Sequence, residues 1–323
     1  MLSFKKGIVK ALLCILVISL ILYALDIALY PCTFVRNDIN AITTSQKDLV
    51  ILGSSNGKMG LNPEKILLGT GKTGQNLCVG GEYPVDAYYL AKLAIEKQNP
   101  EKIVFELDPG YLMTEKEKGN NYLLFYHEFP LTISKIQYFA DAMLDSDLRA
   151  LLFPAYEYSL GYELSHAKDT LTRKLSSDYD ASYFKTETQE YHENGFIERY
   201  PVDEKNFPKY SPDLFDEKNV VEENLIYINR LIELCSENNV ELTVVIMPLP
   251  DVVLKQYTDS YNRAWTYFAD YFADRDVKYM NFNAEYSDAF SHDTSCFVDY
   301  DGHMNGNAAD EFSILFGALM RSK

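Results

Sequence analysis

Chemistry in this chain starts from Ser55. The turn Gly53-Ser54-Ser55-Asn56-Gly57 follows the short apolar run Asp48-Leu49-Val50-Ile51-Leu52. A serine on a strand-to-helix turn can be held with its hydroxyl outward at the sheet edge, and the amides beside it can stabilise an oxyanion. On its own the pentapeptide is better read as an ordinary Gly/Ser turn. A nucleophilic serine needs a base, and the chain offers five histidines: His127, His166, His192, His292 and His303. His303 stands out because it sits in Phe297-Val298-Asp299-Tyr300-Asp301-Gly302-His303-Met304-Asn305, just before the last apolar segment. An aspartate close upstream can orient the imidazole and stabilise its charged form. Spacing alone leaves Asp299 and Asp301 both open for that task, and leaves open a solvated acidic loop with an incidental histidine.

Two further readings, one metal and one phosphate, are weaker. Asp299, Asp301, His303 and Asp310 imitate calcium-loop spacing, but Met304 stands where an EF-hand requires glycine. Gly69-Thr70-Gly71-Lys72-Thr73 resembles a phosphate loop, yet Ile66 replaces the first glycine and the segment precedes a strand. The expectation is a site with no metal and no cofactor.

The elements that must position Ser55 and His303 read as alternating strands and helices. Strands are expected at 48–53, 75–79, 102–107, 241–247 and 277–282. Helices are expected at 84–98, 217–238, 261–272 and 308–320, the first opened by Pro84 and closed before Pro100. Such alternation implies a parallel sheet covered on both faces. Residues from about 110 to 215 break the rhythm and read as an insertion over the strand ends. Ser55 follows the first of these strands, whereas an α/β-hydrolase elbow sits mid-sheet, so that fold is not expected.

Ahead of this domain, Lys5, Lys6 and Lys10 precede the apolar run Ala11–Tyr30. A stretch of about 20 residues covers the roughly 30 Å hydrocarbon core of a bilayer. Lysines on its N-terminal side place the N-terminus in the cytoplasm. The competing reading is a cleaved secretory signal, but no small-x-small cleavage site follows. The expected layout is therefore a cytoplasmic stretch 1–10, a transmembrane signal anchor 11–30, a linker 31–46 and an extracytoplasmic domain 47–323. Of the five cysteines, the four outside the apolar run have no Cys-x-x-Cys spacing, so zinc is not expected, and free thiols and disulfides both stay open. With 30 basic against 47 acidic residues, a net charge of −17, the chain lacks the cationic surface that binding a nucleic-acid backbone requires.

Three blocks in this order resemble the SGNH (GDSL-like) hydrolase superfamily: Gly53-Ser54-Ser55, then Asn76-Leu77-Cys78-Val79-Gly80-Gly81, then the histidine loop at the end. The anchored layout is similar to the exported acyl-transfer branch that includes the D-alanyl-lipoteichoic acid synthesis and alginate O-acetylation proteins. The resemblance covers roughly 47–108 and 242–320. It implies a flavodoxin-like three-layer α/β/α fold, with Ser55 as nucleophile, His303 as base, and the Ser55 and Gly81 amides as oxyanion hole. Two departures matter. The family places its aspartate three residues before the histidine, where this chain has Tyr300; Asp299, following Phe297-Val298, is the preferred substitute and Asp301 the alternative. The asparagine of the third block is absent, because the third strand runs into Glu106-Leu107-Asp108-Pro109. The activity implied is a serine esterase or O-acyltransferase working on acyl esters of cell-envelope glycans. Its partner would be the cell-envelope polysaccharide or its acyl donor, with a multi-pass membrane acyltransferase as a further candidate. The rival reading is a catalytically inactive envelope assembly or glycan-binding protein that keeps the fold.

Overall fold

The computed structural model describes residues 2–116, 123–144, 146–154, 156, 164–176, 184–209, 212 and 214–321. Part of the insertion expected over 110–215, and the side chain of His166, lie outside the described residues. In chain order the structure begins with helix α1 (Leu2–Leu29) and α2 (Phe34–Thr44), then strand β1 (Leu49–Leu52). Helices α3 (Ser55–Gly60) and α4 (Pro63–Thr70) lead to β2 (Gly74–Asn76), α5 (Pro84–Gln98) and β3 (Lys102–Glu106). The insertion contributes α6 (Leu124–Glu128), α7 (Ile133–Ala142), α8 (Leu148–Leu152), α9 (Leu164–Lys174) and the strands β4 (Gln189–Tyr191) and β5 (Ile197–Arg199). The chain then returns through α10 (Glu222–Glu237), β6 (Glu241–Ile246), α11 (Asp251–Gln256), α12 (Thr258–Ala273), β7 (Lys278–Asn281) and α13 (Gly306–Arg321).

The chain divides into two compact units. One combines Met1–Thr33 with Phe139–Asp180, and the other combines Phe34–Tyr138 with Ala181–Lys323. The first contains α1, in which Lys5–Leu29 is long and apolar enough to cross a membrane.

The second unit is built on a five-stranded sheet in the order β2-β1-β3-β6-β7, with every pairing parallel. Both faces are buried, as a parallel sheet with helical crossovers requires. Leu49 and Ile51 on β1 face a core with Val104, Val245, Met280, Phe312 and Phe316, while Val50 and Leu52 are equally buried on the other face. Strand order reverses between β1 and β3, and the crevice outside the carboxyl ends of the strands at such a reversal is where open α/β sheets bind ligands. Both Ser55 and the start of the segment after β3 emerge there.

Residues 31–46, expected as a linker, hold α2, and its Val35, Ile39 and Ile42 are buried. A fully buried ion pair ties this helix to the one that carries Ser55. Lys58 Nζ lies 2.7 Å from Asp38 Oδ2, and both side chains are 2% exposed. The second Asp38 oxygen accepts from Tyr191 Oη at 2.8 Å and Gln75 Nε2 at 3.1 Å. Burial pushes the Asp38 carboxyl upward against the lowering effect of Lys58. The β4–β5 turn docks on the same edge: Asn76 N–H donates to Asn194 O at 2.8 Å, and any side chain at Gly195 (φ +85°) would collide with Asn76 O.

Because removing one member leaves a buried charge uncompensated, Lys58→Met is expected to destabilise the protein by about 3 kcal/mol. The double variant Lys58→Met/Asp38→Asn, which removes both charges and keeps acceptors for Tyr191 and Gln75, should recover most of that loss. Thermal unfolding of the detergent-solubilised full chain measures both.

Candidate active site

The turn after β1 is shaped by glycine and clamped by buried carboxylates. Gly53 has φ +138°, and a Cβ there would lie 2.5 Å from Glu106 O, so no other residue fits. Gly53 N–H donates to Glu82 Oε1 at 3.1 Å, and Ser54 N–H donates to Glu106 Oε2 at 2.6 Å. Ser54 is the N-cap of α3, its hydroxyl accepting from Asn56 N–H at 3.2 Å. Ser55 is therefore the first residue of the helix, and its own N–H belongs to the first turn, which has no intrahelical acceptor. Asn76, wholly buried, holds the far end of α3 by donating Nδ2 to Gly57 O at 2.9 Å and Leu61 O at 2.8 Å, while its Oδ1 accepts from Cys78 N–H.

From the other end of the chain, the histidine loop is pinned by a bridge between Phe297 and Met304, both fully buried. Val298 N–H donates to His303 O at 2.9 Å, closing a tight turn that passes through Gly302 at φ +92°. Asp299 Oδ1 accepts the amides of Asp301 at 3.1 Å and His303 at 3.3 Å, and Oδ2 meets His303 Nδ1 at 2.7 Å. A carboxylate at Nδ1 places the ring proton there and leaves Nε2 as acceptor. His303 Nε2 lies 2.7 Å from Ser55 Oγ. The structure thus brings together Ser55, His303 and Asp299 in one hydrogen-bonded chain.

Of the two aspartates the sequence left open, Asp299 binds the imidazole. Asp301 gives its amide to Asp299 and lines the adjacent cavity, where desolvation, and then the Asp299 carboxylate, raise its pKa. Asp299, Asp301 and His303 bring potential metal-ligating atoms within 4.8 Å of one another. Both nitrogens of His303 are already engaged, by Asp299 and Ser55. Asp310, the fourth member of the calcium-like pattern, is turned to Lys65 and to Asn62.

The second block lies beside the serine, with a difference in detail. Gly80 faces it closely: a Cβ added there would sit 3.6 Å from Ser55 Cβ. Gly81 N–H, expected to serve an oxyanion, donates to Tyr111 Oη at 3.1 Å. Burial raises the Tyr111 hydroxyl to about 12, so it stays protonated.

Ser55 and His303 open into a cavity of 450 Å³ whose walls include Tyr83, Asp108, Tyr111, Tyr261 and Trp265. The rings of Tyr261 and Trp265 stack, with centroids 5.3 Å apart. Asn56 Oδ1, also at this cavity, is buried with no hydrogen-bond partner among the described residues. Sequence reasoning did not find Asn56, Tyr111 or Trp265, and it treated Glu106 only as an interruption. Glu106 is buried at the end of β3, where desolvation raises its pKa to about 7 despite the bond from Ser54. Glu82 behind it is raised by burial and then by Asp86, and its Oε2 has no partner among the described residues. All five cysteines are unpaired, and burial raises the Cys78 thiol well above its usual value.

The sequence matches no protein-family profile, and no curated protein matches it significantly.

The Glu106 shift has a stability consequence of definite sign. An acid whose folded pKa lies above its unfolded value of 4.5 contributes stability that is fully present below that value and is lost as pH rises through about 7. Glu106→Gln should therefore lose less stability than the native chain between about pH 5 and pH 8, by about 3 kcal/mol at most. Thermal unfolding across that range tests it, and parallel curves for the two proteins would contradict it.

Proposed function

We propose that the chain is a membrane-anchored, extracytoplasmic serine esterase or O-acyltransferase of SGNH-like type, acting on acyl esters of cell-envelope glycans. The observation that carries this reading is the Ser55–His303–Asp299 chain, with 2.7 Å at each link, at the mouth of a cavity beyond the carboxyl ends of a parallel sheet. Lys5, Lys6 and Lys10 at the N-terminal end of the apolar helix support a cytoplasmic N-terminus and an exported domain.

In this mechanism His303 Nε2 takes the proton of Ser55 Oγ as the oxygen attacks an ester carbonyl carbon. The carbonyl oxygen becomes an oxyanion, held by the Ser55 amide and by the Gly81 amide, which exchanges the Tyr111 hydroxyl for it. Collapse of the tetrahedral centre breaks the bond to the leaving alkoxide, which recovers the proton from His303. The acyl group is left on Ser55. A sugar hydroxyl or water then gives its proton to His303 and attacks the acyl-serine; the acyl–Oγ bond breaks, and His303 returns the proton to Ser55 Oγ, restoring the free enzyme. Asp299 holds the imidazole in the tautomer that these transfers need and offsets its charge.

The cavity carries aromatic rings and the carboxylates of Glu106, Asp108 and Asp301, with no lysine or arginine among the lining residues described. That supports a neutral saccharide acceptor over a heavily anionic polymer. The rival, an inactive scaffold on the same fold, draws on the missing third-block asparagine and on the Gly81 amide engaged by Tyr111.

A fluorophosphonate probe on the detergent-solubilised full chain separates the two. The native protein should be labelled, Ser55→Ala and His303→Ala should not, and Asp299→Asn should react at least about a thousand-fold more slowly. Asp301→Asn should stay within a few-fold of native. A folded native chain that takes no probe contradicts the enzymatic reading and supports the scaffold.

A further inference from the structure

The compact unit that contains α1 also contains the insertion segment from Phe139 to Asp180, and this segment carries apolar surface that its own unit leaves uncovered. Leu144, Leu148, Leu152 and Leu175 are 70%, 61%, 61% and 81% exposed. On α8 the arrangement is directional. Leu148 and Leu152, four residues apart, share one face of the helix, whereas Ala150 is buried. Exposed leucines in such number on a short segment mark a surface that something apolar covers.

The other half of the unit supplies the identity of that cover. Helix α9 packs against α1, and Lys174 in its last turn donates to the backbone carbonyls of Ile27, at 2.8 Å, and Tyr30. These are carbonyls at the C-terminal end of the apolar helix, which lack intrahelical donors. The Lys174 ammonium also lies 5.9 Å from the centre of the Tyr30 ring. Lys174 therefore fixes α9, followed at once by the exposed Leu175, at the end of the span where the polypeptide leaves the hydrocarbon.

We propose that Leu144, Leu148, Leu152 and Leu175 lie in the outer membrane–water interface, inserted among the lipid chains. The occupant of this surface is the bilayer itself, and the inference rests on α1 being a retained anchor. An apolar helix face of this kind enters about 5–10 Å below the headgroups, well short of the bilayer centre. The insertion thus serves as a second, shallow attachment beside the spanning helix.

The test places a tryptophan at each position in the full chain. Leu148→Trp, Leu152→Trp, Leu175→Trp and the reference Leu16→Trp are reconstituted in phosphatidylcholine–phosphatidylglycerol vesicles, with the emission of native Trp265 subtracted using the unaltered chain. Lipids brominated near the headgroup should quench positions 148, 152 and 175 about as strongly as lipids brominated near the chain ends quench position 16. The order should reverse when the two lipids are exchanged. Quenching at 16 with none at 148, 152 and 175 overturns the interfacial proposal and leaves the anchor standing. Quenching at none of the four overturns the anchored reading with it.

Discussion

The hydrogen bond between Ser55 and His303 joins two loops 248 residues apart in sequence, and most of the surrounding structure exists to keep their ends together. A bond of that kind is worth little unless both partners are fixed before it forms, because ordering two free loops costs more than one net hydrogen bond returns. Each loop is therefore immobilised on its own account. The serine turn is seated between β1 and β3, where only glycine can pass Glu106 at position 53. The histidine turn is stitched by Phe297 and Met304 in the core and by three bonds to one aspartate.

The ground beneath the serine is unusually ionisable. Glu106 and Glu82 accept the amides of Ser54 and Gly53, while Lys58 on the far side of α3 pairs with Asp38. These groups are buried, and buried charge is a poor source of stability compared with apolar packing. Their evident effect is on position. Two consecutive amides and the third residue beyond Ser55 are all held by directional bonds, so the backbone that carries Ser55 cannot shift away from His303 without breaking several at once. Helix α2, next along the chain from the apolar helix, takes part in this network through Asp38.

Much of the frame was legible in the sequence because it obeys strong local signals. The helix Pro84–Gln98 is bracketed by prolines, and the strands at 102–106 and 241–246 are short apolar runs with clear stops. The grouping of Ser55 with His303 came from the order of the blocks and the family resemblance, which also put Asp299 ahead through Phe297-Val298, but spacing could not choose between Asp299 and Asp301. That choice depends on how the Val298–His303 bond closes the turn. Helix α3 escaped because six residues with glycines at 57 and 60 show no periodicity. Helices α2 and α4 did carry signals, namely Val35, Ile39 and Ile42 at helical spacing and the Asn62-Pro63 start with Gly71 at the end. The β4–β5 hairpin had its Asn194-Gly195 turn. Glu106 was not legible, since an acidic residue at a strand end reads as solvated until the neighbouring strand and turn are seen to cover it.

Trapping the acyl group tests the central claim, that Ser55 accepts an acyl group activated by His303, more directly than any other measurement. Incubation of the solubilised full chain with an activated acetyl ester, rapid acid quench and peptide mass analysis should place one acetyl group on the peptide containing Ser55. The His303→Ala protein should carry none there. An unmodified Ser55 in a folded native chain, or equal acetylation with and without His303, would contradict the account.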